Sequence, residues 1–307
     1  MRRSRFLPVL IAITLTAGTL GLLGAGAASA APAGGGGGPF VCSGTPRSPG
    51  VLTAGPHPNV IVSGTCVVNS GRAYVHGSLV VTRGSVLLAV FARNAATGRG
   101  TSNLNVSGNV LVRRHATLFL GCSAAHSPCI DDPNQKNPTL NSSSRVGGSL
   151  ISVGALGVVV HSSFIGGNVL QRGGGGGFTC TPIGVFRRFK SPVFSDYEDN
   201  FVGGNLAIAG LHSCWLGALR NHVRHGFLAV SNKMKDPDAN ELNSNFIRGS
   251  MACFGNFPAV QYGDGHGVPN RVGRFAFGQC GFGVFKPDPA PNGPLTPISV
   301  RARHHHR

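Results

Sequence analysis

The chain of 307 residues carries 27 lysines and arginines against 10 acidic residues, a formal net charge of +17. Its 47 glycines disfavour a helical protein, because glycine is a poor helix former. The ten acidic residues leave few candidates for the paired carboxylates of a sugar-cleaving enzyme.

Residues 1–30 are typical of a secretory signal peptide. Basic residues at the start precede an apolar run, and Ala28-Ser29-Ala30 fits a small-residue cleavage site. An uncleaved membrane anchor is the alternative, but a proline interrupts the run and the cleavage motif follows it. We predict a secreted chain with no transmembrane helix in its mature part. Loss of the three arginines of the leader leaves 24 basic and 10 acidic residues, hence a net charge of +14.

The rest of the chain divides into three segments by composition. Residues 31–57 predict a Gly/Pro-rich linker, residues 58–285 a β-solenoid domain, and residues 286–307 a tail rich in Pro, His and Arg. A five-glycine run at 173–177 predicts a loop, and a subdivision of the domain near 173–199 stays open. The tail histidines at 304–306 predict weak capture of transition metals, or simply a basic tail.

A short motif recurs through the middle of the chain. Its clearest copy, residues 200–208, has an Asn, then a Val, a glycine, a small polar residue and alternating apolar residues. The marker position of successive copies is occupied by Gly77, Gly108, Gly148, Gly167, Gly204, Gly226, Gly249 and Arg274. Successive marker positions differ in sequence number by 31, 40, 19, 37, 22, 23 and 25. The longer separations predict one coil plus a loop, supplied by inserts at 123–145 and 171–199.

This period predicts an all-β chain: a right-handed parallel β-helix, or solenoid, with about 20–25 residues per coil and Gly-rich loops. Each coil buries its inner face only by stacking on its neighbours. Glycine would permit the tight turns, and the leading Asn would tolerate a left-handed backbone and bond the next coil. The ladder predicted in this way consists of Asn200, Asn221, Asn245 and Asn270. A β-sandwich is the alternative, in which the marker glycines would not align.

An even number of cysteines in an exported chain predicts disulfides. Eight cysteines allow 105 connectivities. In a solenoid, however, residues one coil apart are stacked neighbours, so we predict that cysteines pair with their neighbours in sequence. The expected pairs are Cys42–Cys66, Cys122–Cys129, Cys180–Cys214 and Cys253–Cys280.

The repeated V-x-G-N-L unit, together with the segments 251–258 and 269–280, resembles uncharacterised exported parallel β-helix proteins of high-GC Gram-positive bacteria. The resemblance covers residues 60 to 285 and implies the solenoid fold. No activity is established for that group, so the resemblance implies no catalytic residue and no cofactor.

The densest basic segment, residues 186–190, alternates aromatic and basic residues. Arg187, Arg188 and Lys190 are therefore candidates for binding a polyanion, because Gly-rich flanks would leave them free to reach a surface. An ordinary solvated loop is the alternative. Nucleic-acid binders also mix aromatic residues with cations. Export makes nucleic acid an unexpected physiological partner, so we predict anionic cell-envelope polymers instead.

Asp236, Asp238 and Asn240 imitate the start of a calcium-binding loop. The complete pattern needs Gly at its sixth and Glu at its twelfth position, where this chain has Glu241 and Ile247. The three residues are therefore a weak calcium candidate. No other metal site, no catalytic residue and no cofactor is predicted.

These patterns favour a secreted, non-enzymatic structural or adhesive β-solenoid protein of the cell exterior. The alternatives are a β-helix polysaccharide lyase or hydrolase, and a basic module that binds anionic envelope polymers. A cluster of carboxylates, Arg or His from adjacent coils would favour the enzyme. A one-sided arginine stripe would favour the binder, and a featureless surface the scaffold.

Overall fold

The structure, a computed structural model, describes residues 38–262, 267–281 and the backbone of 284–285. The predicted signal peptide and the predicted tail lie outside these residues. The described chain contains thirty short strands and one helix of a single turn. None of its helices is long and apolar enough to span a membrane.

The elements follow one another in this order: β1 (Phe40–Gly44), β2 (Gly50–Val51), β3 (Gly55–His57), β4 (Val60–Val67), β5 (Arg72–Val75), β6 (Leu79–Val81), β7 (Val86–Ala89), β8 (Asn103–Val106), β9 (Val110–Val112), β10 (Thr117–Leu120), β11 (Arg145–Val146), β12 (Leu150–Val153), β13 (Gly157–His161), β14 (Phe164–Ile165), β15 (Val169–Arg172), α1 (Phe186–Phe189), β16 (Phe194–Glu198), β17 (Phe201–Val202), β18 (Leu206–Ala209), β19 (His212–Ser213), β20 (Trp215–Leu219), β21 (His222–Val223), β22 (Phe227–Val230), β23 (Lys233–Met234), β24 (Glu241–Asn243), β25 (Phe246–Ile247), β26 (Met251–Phe254), β27 (Gln261–Tyr262), β28 (Arg271–Val272), β29 (Ala276–Gly278) and β30 (Val284–Phe285).

Apart from β19 and β23, which pair only with each other, the strands form three long sheets, and every strand pairing is parallel. Sheet A contains β1, β4, β6, β9, β12, β15, β18, β22, β26 and β29. Sheet B contains β2, β4, β7, β10, β13, β16, β20, β24, β27 and β30. Sheet C contains β3, β5, β8, β11, β14, β17, β21, β25 and β28. The chain visits A, B and C in turn, so each circuit is one coil of a parallel β-helix, as predicted.

Strand register gives the length of each coil directly. The aligned positions along sheet A are Phe40, Val60, Leu79, Val110, Leu150, Val169, Leu206, Phe227, Met251 and Ala276. The intervals of 31, 40 and 37 in sequence number belong to single coils with loops inserted between β7 and β8, β10 and β11, and β15 and β16. The inserts predicted from the sequence are confirmed, and pairing continues across residues 173–199 without a break.

The marker positions stack on one another, which excludes a β-sandwich, but one assignment is wrong. The backbone N–H of His225, not of Gly226, bonds the carbonyl of Gly204, and Gly249 in turn bonds His225. At this coil the glycine of the sequence motif therefore lies one residue after the position that stacks. Positions 204, 225 and 249 stack in the structure, where the sequence motif predicts 204, 226 and 249.

Close stacking, not turn geometry, explains most marker glycines. A Cβ on Gly204 would come within 3.0 Å of the Asn168 side chain and the Gly167 carbonyl of the preceding coil. Gly204 has no positive φ, whereas Gly210, at a sheet corner, has φ of 66°. Left-handed backbone thus belongs to corners such as this one, and the marker glycines allow the coils to approach one another.

The predicted asparagine ladder is present, with Asn200, Asn221 and Asn245 buried and Asn270 half-buried. The side-chain oxygens of Asn221, Asn245 and Asn270 each accept hydrogen bonds from the backbone N–H and the Nδ2 of the Asn one coil earlier. Each Nδ2 also donates to a backbone carbonyl of an earlier coil. The left-handed residues are those just before the asparagines: Asp199, Arg220 and Ser244 have φ of 55°, 54° and 58°. The expectation of left-handed asparagines here is wrong.

A second ladder, which the sequence analysis does not identify, joins the last coils at another corner. Asn232 donates its backbone N–H and its Nδ2 to the side-chain oxygen of Asn256. Asn256 does the same to Gln279. Both ladders satisfy polar backbone groups that burial between stacked coils would otherwise leave unpaired.

Aliphatic side chains fill the inside of the coils. The inward positions of sheet C are Val75, Val106, Val146, Ile165, Val202, Val223, Ile247 and Val272, aligned strand by strand. Burial of each such side chain contributes about 1.5–3 kcal/mol. This aligned stack is what the recurring Val/Ile position of the motif encodes.

The solenoid begins earlier than the sequence suggests. Residues 31–57 are predicted to form a linker, but β1, β2 and β3 lie at 40–57 and pair with β4 and β5. Residues from Phe40 onward therefore belong to the first coil. The short segments, rich in Gly and Pro, resemble a linker in composition, yet their partner strands supply the pairing.

Four disulfides join the cysteine pairs that the sequence predicts. The bonds are Cys42–Cys66, Cys122–Cys129, Cys180–Cys214 and Cys253–Cys280. The first and last tie adjacent coils at the two ends of the solenoid. Cys122–Cys129 closes a loop within one insert, and Cys180–Cys214 anchors the insert that carries α1 to the next coil.

Candidate functional site

The predicted polyanion-binding residues lie on or directly after α1. Arg187, Arg188 and Lys190 are all exposed, as binding requires. Arg187 Nε donates to the Pro182 carbonyl at 3.2 Å, and Arg188 donates to the carbonyl of Pro46. Arg188 therefore links the loop to the first coil, all three side chains stay exposed, and their binding of a polyanion remains a prediction.

The aromatic residues of α1 point inward. Phe186 and Phe189 are buried and pack against Phe119 of sheet B, with ring centroids 5.7 and 5.5 Å apart. The segment is thus an amphipathic helical turn, with its Phe side chains packed on the hydrophobic surface of sheet B and its Arg side chains exposed. Neither ring is available for stacking on a nucleobase.

The weak calcium candidate is a local turn. The backbone N–H of Asp238 donates to the Asp236 carboxylate at 3.0 Å. Asn240 is buried, and its Nδ2 donates to the Pro258 carbonyl at 2.8 Å. Within the described residues, the groups of three or more His, Cys, Asp or Glu side chains that could hold an ion do not include these residues.

A column of aromatic and basic side chains runs along the outer face of sheet C. This outer column contains Tyr74, Asn105, Arg145, Phe164, Phe201, His222, Phe246 and Arg271, aligned from one strand to the next. Phe201 and Phe246 are 42% and 45% exposed. Consecutive strands of a sheet lie about 4.8 Å apart, so the column presents one side chain at each such step.

Neighbours in the outer column contact one another. The Arg145 guanidinium lies 4.1 Å from the centroid of the Phe164 ring. Phe164 and Phe201 are stacked, with centroids 5.2 Å apart and planes 2° apart. The rings of His222 and Phe246 are 5.7 Å apart. These contacts hold a row of rings and cations at the solenoid exterior.

Three arginines flank the C-terminal end of this column and define what we call the arginine cleft. Arg224, Arg248 and Arg274 come from three successive coils and line a depression of about 500 Å³, together with His225 and Ser250. An adjoining depression of about 190 Å³ is lined by Phe201, His222, Phe246 and two of the same arginines. Among the described residues that line the two depressions there is no Asp or Glu, so the local charge is positive.

The motif does not predict this face, because the motif describes how residues repeat along the chain and not which residues stack side by side. The outer column is the residue after each leading Asn of the motif: Phe201, His222, Phe246 and Arg271. Comparison of that single position across the copies would have indicated an exposed aromatic and basic row. Arg224 and Arg248 occupy a position that is glycine in three earlier coils, so coil stacking is needed to bring them together.

A second group, the acidic cluster, lies on the outer face of sheet B and is buried there. It contains His161, Asp196, Glu198, Asp199 and Arg220, drawn from three successive coils. His161 and Glu198 are in register on neighbouring strands. Asp196 is the second residue before Glu198 on the same strand and therefore lies on the same face. The exposed fractions of His161 and Asp196 are 1% and 0%.

A chain of aromatic residues packs on this face of sheet B. Phe186 of α1 packs on Phe194 at the start of β16, and Phe194 packs on Trp215 of β20. Trp215 is buried and donates its indole N–H to Glu241 at 2.6 Å. The outer face of sheet B, which would be open in a plain solenoid, is covered by these residues.

The polar contacts of the acidic cluster are direct. His161 Nε2 lies 3.1 Å from Asp196 Oδ2. Arg220 donates to Glu198 at 3.0 Å and to the two oxygens of Asp199 at 2.8 and 3.1 Å. Arg220 and Asp199 are 24% and 28% exposed and form the solvent side of the cluster.

Burial governs protonation in this cluster. Desolvation raises the pKa of Asp196 to about 7. Burial, with the nearby charge of Asp196, raises the pKa of Glu198 to about 8. Desolvation lowers the pKa of His161. Near neutral pH the two carboxyls therefore retain protons that exposed carboxyls would lose, and the imidazole is neutral.

These features define the class of the protein: a disulfide-stabilised parallel β-helix with a basic, aromatic outer face and one buried acidic cluster. No protein-family model matches the chain, and no curated protein and no solved structure matches it.

Proposed function

We propose that this protein is exported and adheres to an anionic polymer of the cell envelope through the arginine cleft and the adjoining outer column. The single observation that carries the proposal is the convergence of Arg224, Arg248 and Arg274, from successive coils, on one depression. The signal-like leader and four disulfides support an oxidising location outside the cytoplasm.

The side chains of the arginine cleft and the outer column suit a polymer that carries negative charges at regular intervals. Guanidinium groups bind carboxylate and phosphate through two parallel hydrogen bonds. Coils spaced about 4.8 Å apart present these groups one after another, which a polymer with one charge per unit can follow. Phe201 and Phe246 add exposed apolar area between the cations. The proposal therefore keeps the predicted partner and moves its site from α1 to the cleft.

The lyase or hydrolase alternative is less well supported. The acidic cluster does come from adjacent coils, which is the arrangement that an enzyme would need. Its carboxyls, however, are buried, and Asp196 has no exposed surface. A polymer substrate must come within hydrogen-bonding distance of the catalytic acid, and the buried position of Asp196 prevents that contact.

The test compares two variants that each remove three positive charges. The cleft variant is Arg224→Gln, Arg248→Gln, Arg274→Gln, and the matched control is Arg187→Gln, Arg188→Gln, Lys190→Gln on α1. Binding to purified cell envelope and to poly(glycerol phosphate) is measured by co-sedimentation at about 50 and about 500 mM NaCl, because screening strengthens across this range. Circular dichroism and the unfolding midpoint check that both variants fold.

We expect the wild type and the control to bind at low salt and to release at high salt. The cleft variant should lose at least about tenfold in affinity, equal to about 1.4 kcal/mol. Equal losses in both variants would mean that only net charge matters. A loss of affinity in the control alone would indicate that the polymer binds at α1. Binding that does not depend on salt would contradict the proposal altogether.

A further inference from the structure

We propose that His161, Asp196 and Glu198 bind one divalent transition-metal ion, of the zinc or manganese type, which stabilises the middle of the solenoid. The three side chains each offer one ligand atom, and these atoms all lie within 4.8 Å of one another. Neither the motif nor any local sequence pattern indicates such a site, because a whole coil with its insert separates His161 from the two carboxyls.

The geometry fits two ligands of one ion. Zinc binds imidazole nitrogen and carboxylate oxygen at about 2.0–2.2 Å, so two such atoms at tetrahedral or right angles are about 3 Å apart. His161 Nε2 and Asp196 Oδ2 are 3.1 Å apart. Glu198 stands beside His161 on the next strand and supplies a third ligand from the same face.

An unpaired polar atom in the cluster points to a ligand. Asp196 Oδ1 is buried and has no hydrogen-bond partner, while Oδ2 of the same carboxyl faces His161 Nε2. Asp196 has none of its surface exposed, and buried polar groups in folded proteins are nearly always paired. The cluster therefore has more capacity to coordinate a ligand than its own contacts use.

Charge balance gives an independent reason. When ionised, Asp196, Glu198 and Asp199 carry three negative charges, and Arg220 carries one positive charge. The excess of two negative charges is unfavourable beneath a covered face. A divalent cation removes this excess without protonating the carboxyls, and Arg220 already neutralises the solvent side through Asp199.

The donor set selects the kind of metal. One imidazole with two carboxylates suits zinc, manganese or iron, whereas calcium prefers six to eight oxygen ligands. Thiolate ligation does not compete, because all eight cysteines are disulfide-bonded. The partly exposed pair Arg220 and Asp199 provides the side from which an ion can enter.

The experiment uses the whole protein with His304→Ala, His305→Ala and His306→Ala, so that the tail histidines cannot bind the probe. After dialysis against EDTA, thermal unfolding is followed with Zn²⁺, Mn²⁺, Ca²⁺ or Mg²⁺ added. Visible absorption with Co²⁺ reports directly on nitrogen and carboxylate ligation. The test variants are Asp196→Asn and Glu198→Gln, and the matched control is Asp236→Asn, Asp238→Asn.

We expect Zn²⁺ or Mn²⁺ to raise the unfolding midpoint by roughly 5 °C, with one ion per chain. Ca²⁺ and Mg²⁺ should have little effect. Asp196→Asn and Glu198→Gln should fold without metal, because each replaces a buried carboxylate by a neutral group of the same shape, and should lose the midpoint shift and the Co²⁺ bands. The Asp236 and Asp238 control should keep both.

Two results would overturn the proposal. One is the absence of any midpoint shift and of any Co²⁺ band in the parent protein. The other is a response that persists in both Asp196→Asn and Glu198→Gln, which would assign the metal to other residues. Neither result depends on the polymer-binding proposal, since no envelope component is present in this experiment.

Discussion

Asn221 accepts two hydrogen bonds from Asn200, one from its backbone N–H at 3.1 Å and one from its Nδ2 at 3.0 Å. The two residues are 21 positions apart in sequence and one coil apart in space. Asn221 makes the same pair of bonds to Asn245, at 2.9 Å each. The ladder thus fixes the register of successive coils and pairs their corner backbone groups at the same time.

We expect Asn221→Ala to lower the free energy of unfolding by about 3 kcal/mol. The change leaves the backbone N–H of Asn200 and one of the two N–H groups of its Nδ2 buried without acceptors, while the other still donates to the Val160 carbonyl. Each buried unpaired group costs about 1–3 kcal/mol. The matched control is Asn205→Ala, whose exposed side-chain oxygen accepts the N–H of Gly226. It should cost about 1 kcal/mol or less. Urea unfolding measures both values, and equal losses would contradict a specific role for the buried ladder.

Gly204 lies at a stacked position and Gly226 lies one residue after one. Substitution of each by Ala should therefore change the free energy of unfolding by different amounts. Gly204→Ala places a Cβ within 3.0 Å of the Gly167 carbonyl, so the coils must separate. At Gly226 the nearest atoms to a new Cβ are 3.2 and 3.3 Å away, one of them in a side chain. We expect Gly204→Ala to lower the unfolding free energy by about 2 kcal/mol or more, and Gly226→Ala by about 1 kcal/mol or less. Urea unfolding measures both, and the reverse order would restore the register suggested by the sequence.

Metal-free protein should lose stability as pH rises from about 6.5 to about 8. The pKa values of Asp196 and Glu198, about 7 and about 8 in the folded chain, lie above those of the unfolded chain, so the folded state binds more protons. That contribution is complete below the unfolded pKa values and is lost as pH passes the folded ones. His161 and His126, with lowered pKa values, act in the opposite direction only below about pH 6.5.

Urea unfolding in EDTA across this pH range measures the effect, with Asp199 and Arg220 left intact. In the control, Asp196→Asn with Glu198→Gln, the decline should flatten, because neither position can titrate. A decline of the same size in the control would assign it to other groups. Addition of the metal should raise the stability at pH 8, where both carboxyls bind it without protons.

Aromatic and basic residues of the outer face should contribute to binding in different ways. Phe201→Ala with Phe246→Ala should weaken adhesion to envelope by a similar factor at every salt concentration, because apolar contacts are not screened. The cleft variant should instead reduce the dependence on salt. Phe254→Ala with Phe257→Ala is the control, since these rings are 49% and 61% exposed but lie outside sheet C. Equal effects of the two Phe pairs, measured by co-sedimentation, would remove the outer column from the binding site.

Much of the fold can be predicted because a solenoid repeats one local rule. The motif copies encode an inward Val or Ile, a glycine where coils approach, and an Asn at a corner, so their period alone predicts stacked coils. The prediction of the strands and of the stacked positions fails where the motif is absent or ambiguous. Residues 40–57 lack the motif and form strands only because β4 and β5 pair with them. Gly226 resembles a marker glycine in the sequence, but the stacked position is His225, one residue earlier. Glycine also fits at the position after it, so the motif alone does not distinguish the two.

By itself the sequence determined the β-helix, the inserts, the pairing of the cysteines and the Asn200 ladder. All of these except the local Cys122–Cys129 pair follow from the spacing between successive coils. Only the tertiary structure decided the two candidate sites. Arg224, Arg248 and Arg274 meet because three coils of different length stack in register. Asp196 and His161 meet because β13 and β16 stack in register one coil apart, and both side chains are buried. Burial and the alignment of unequal coils depend on the whole chain, and no local pattern carries them.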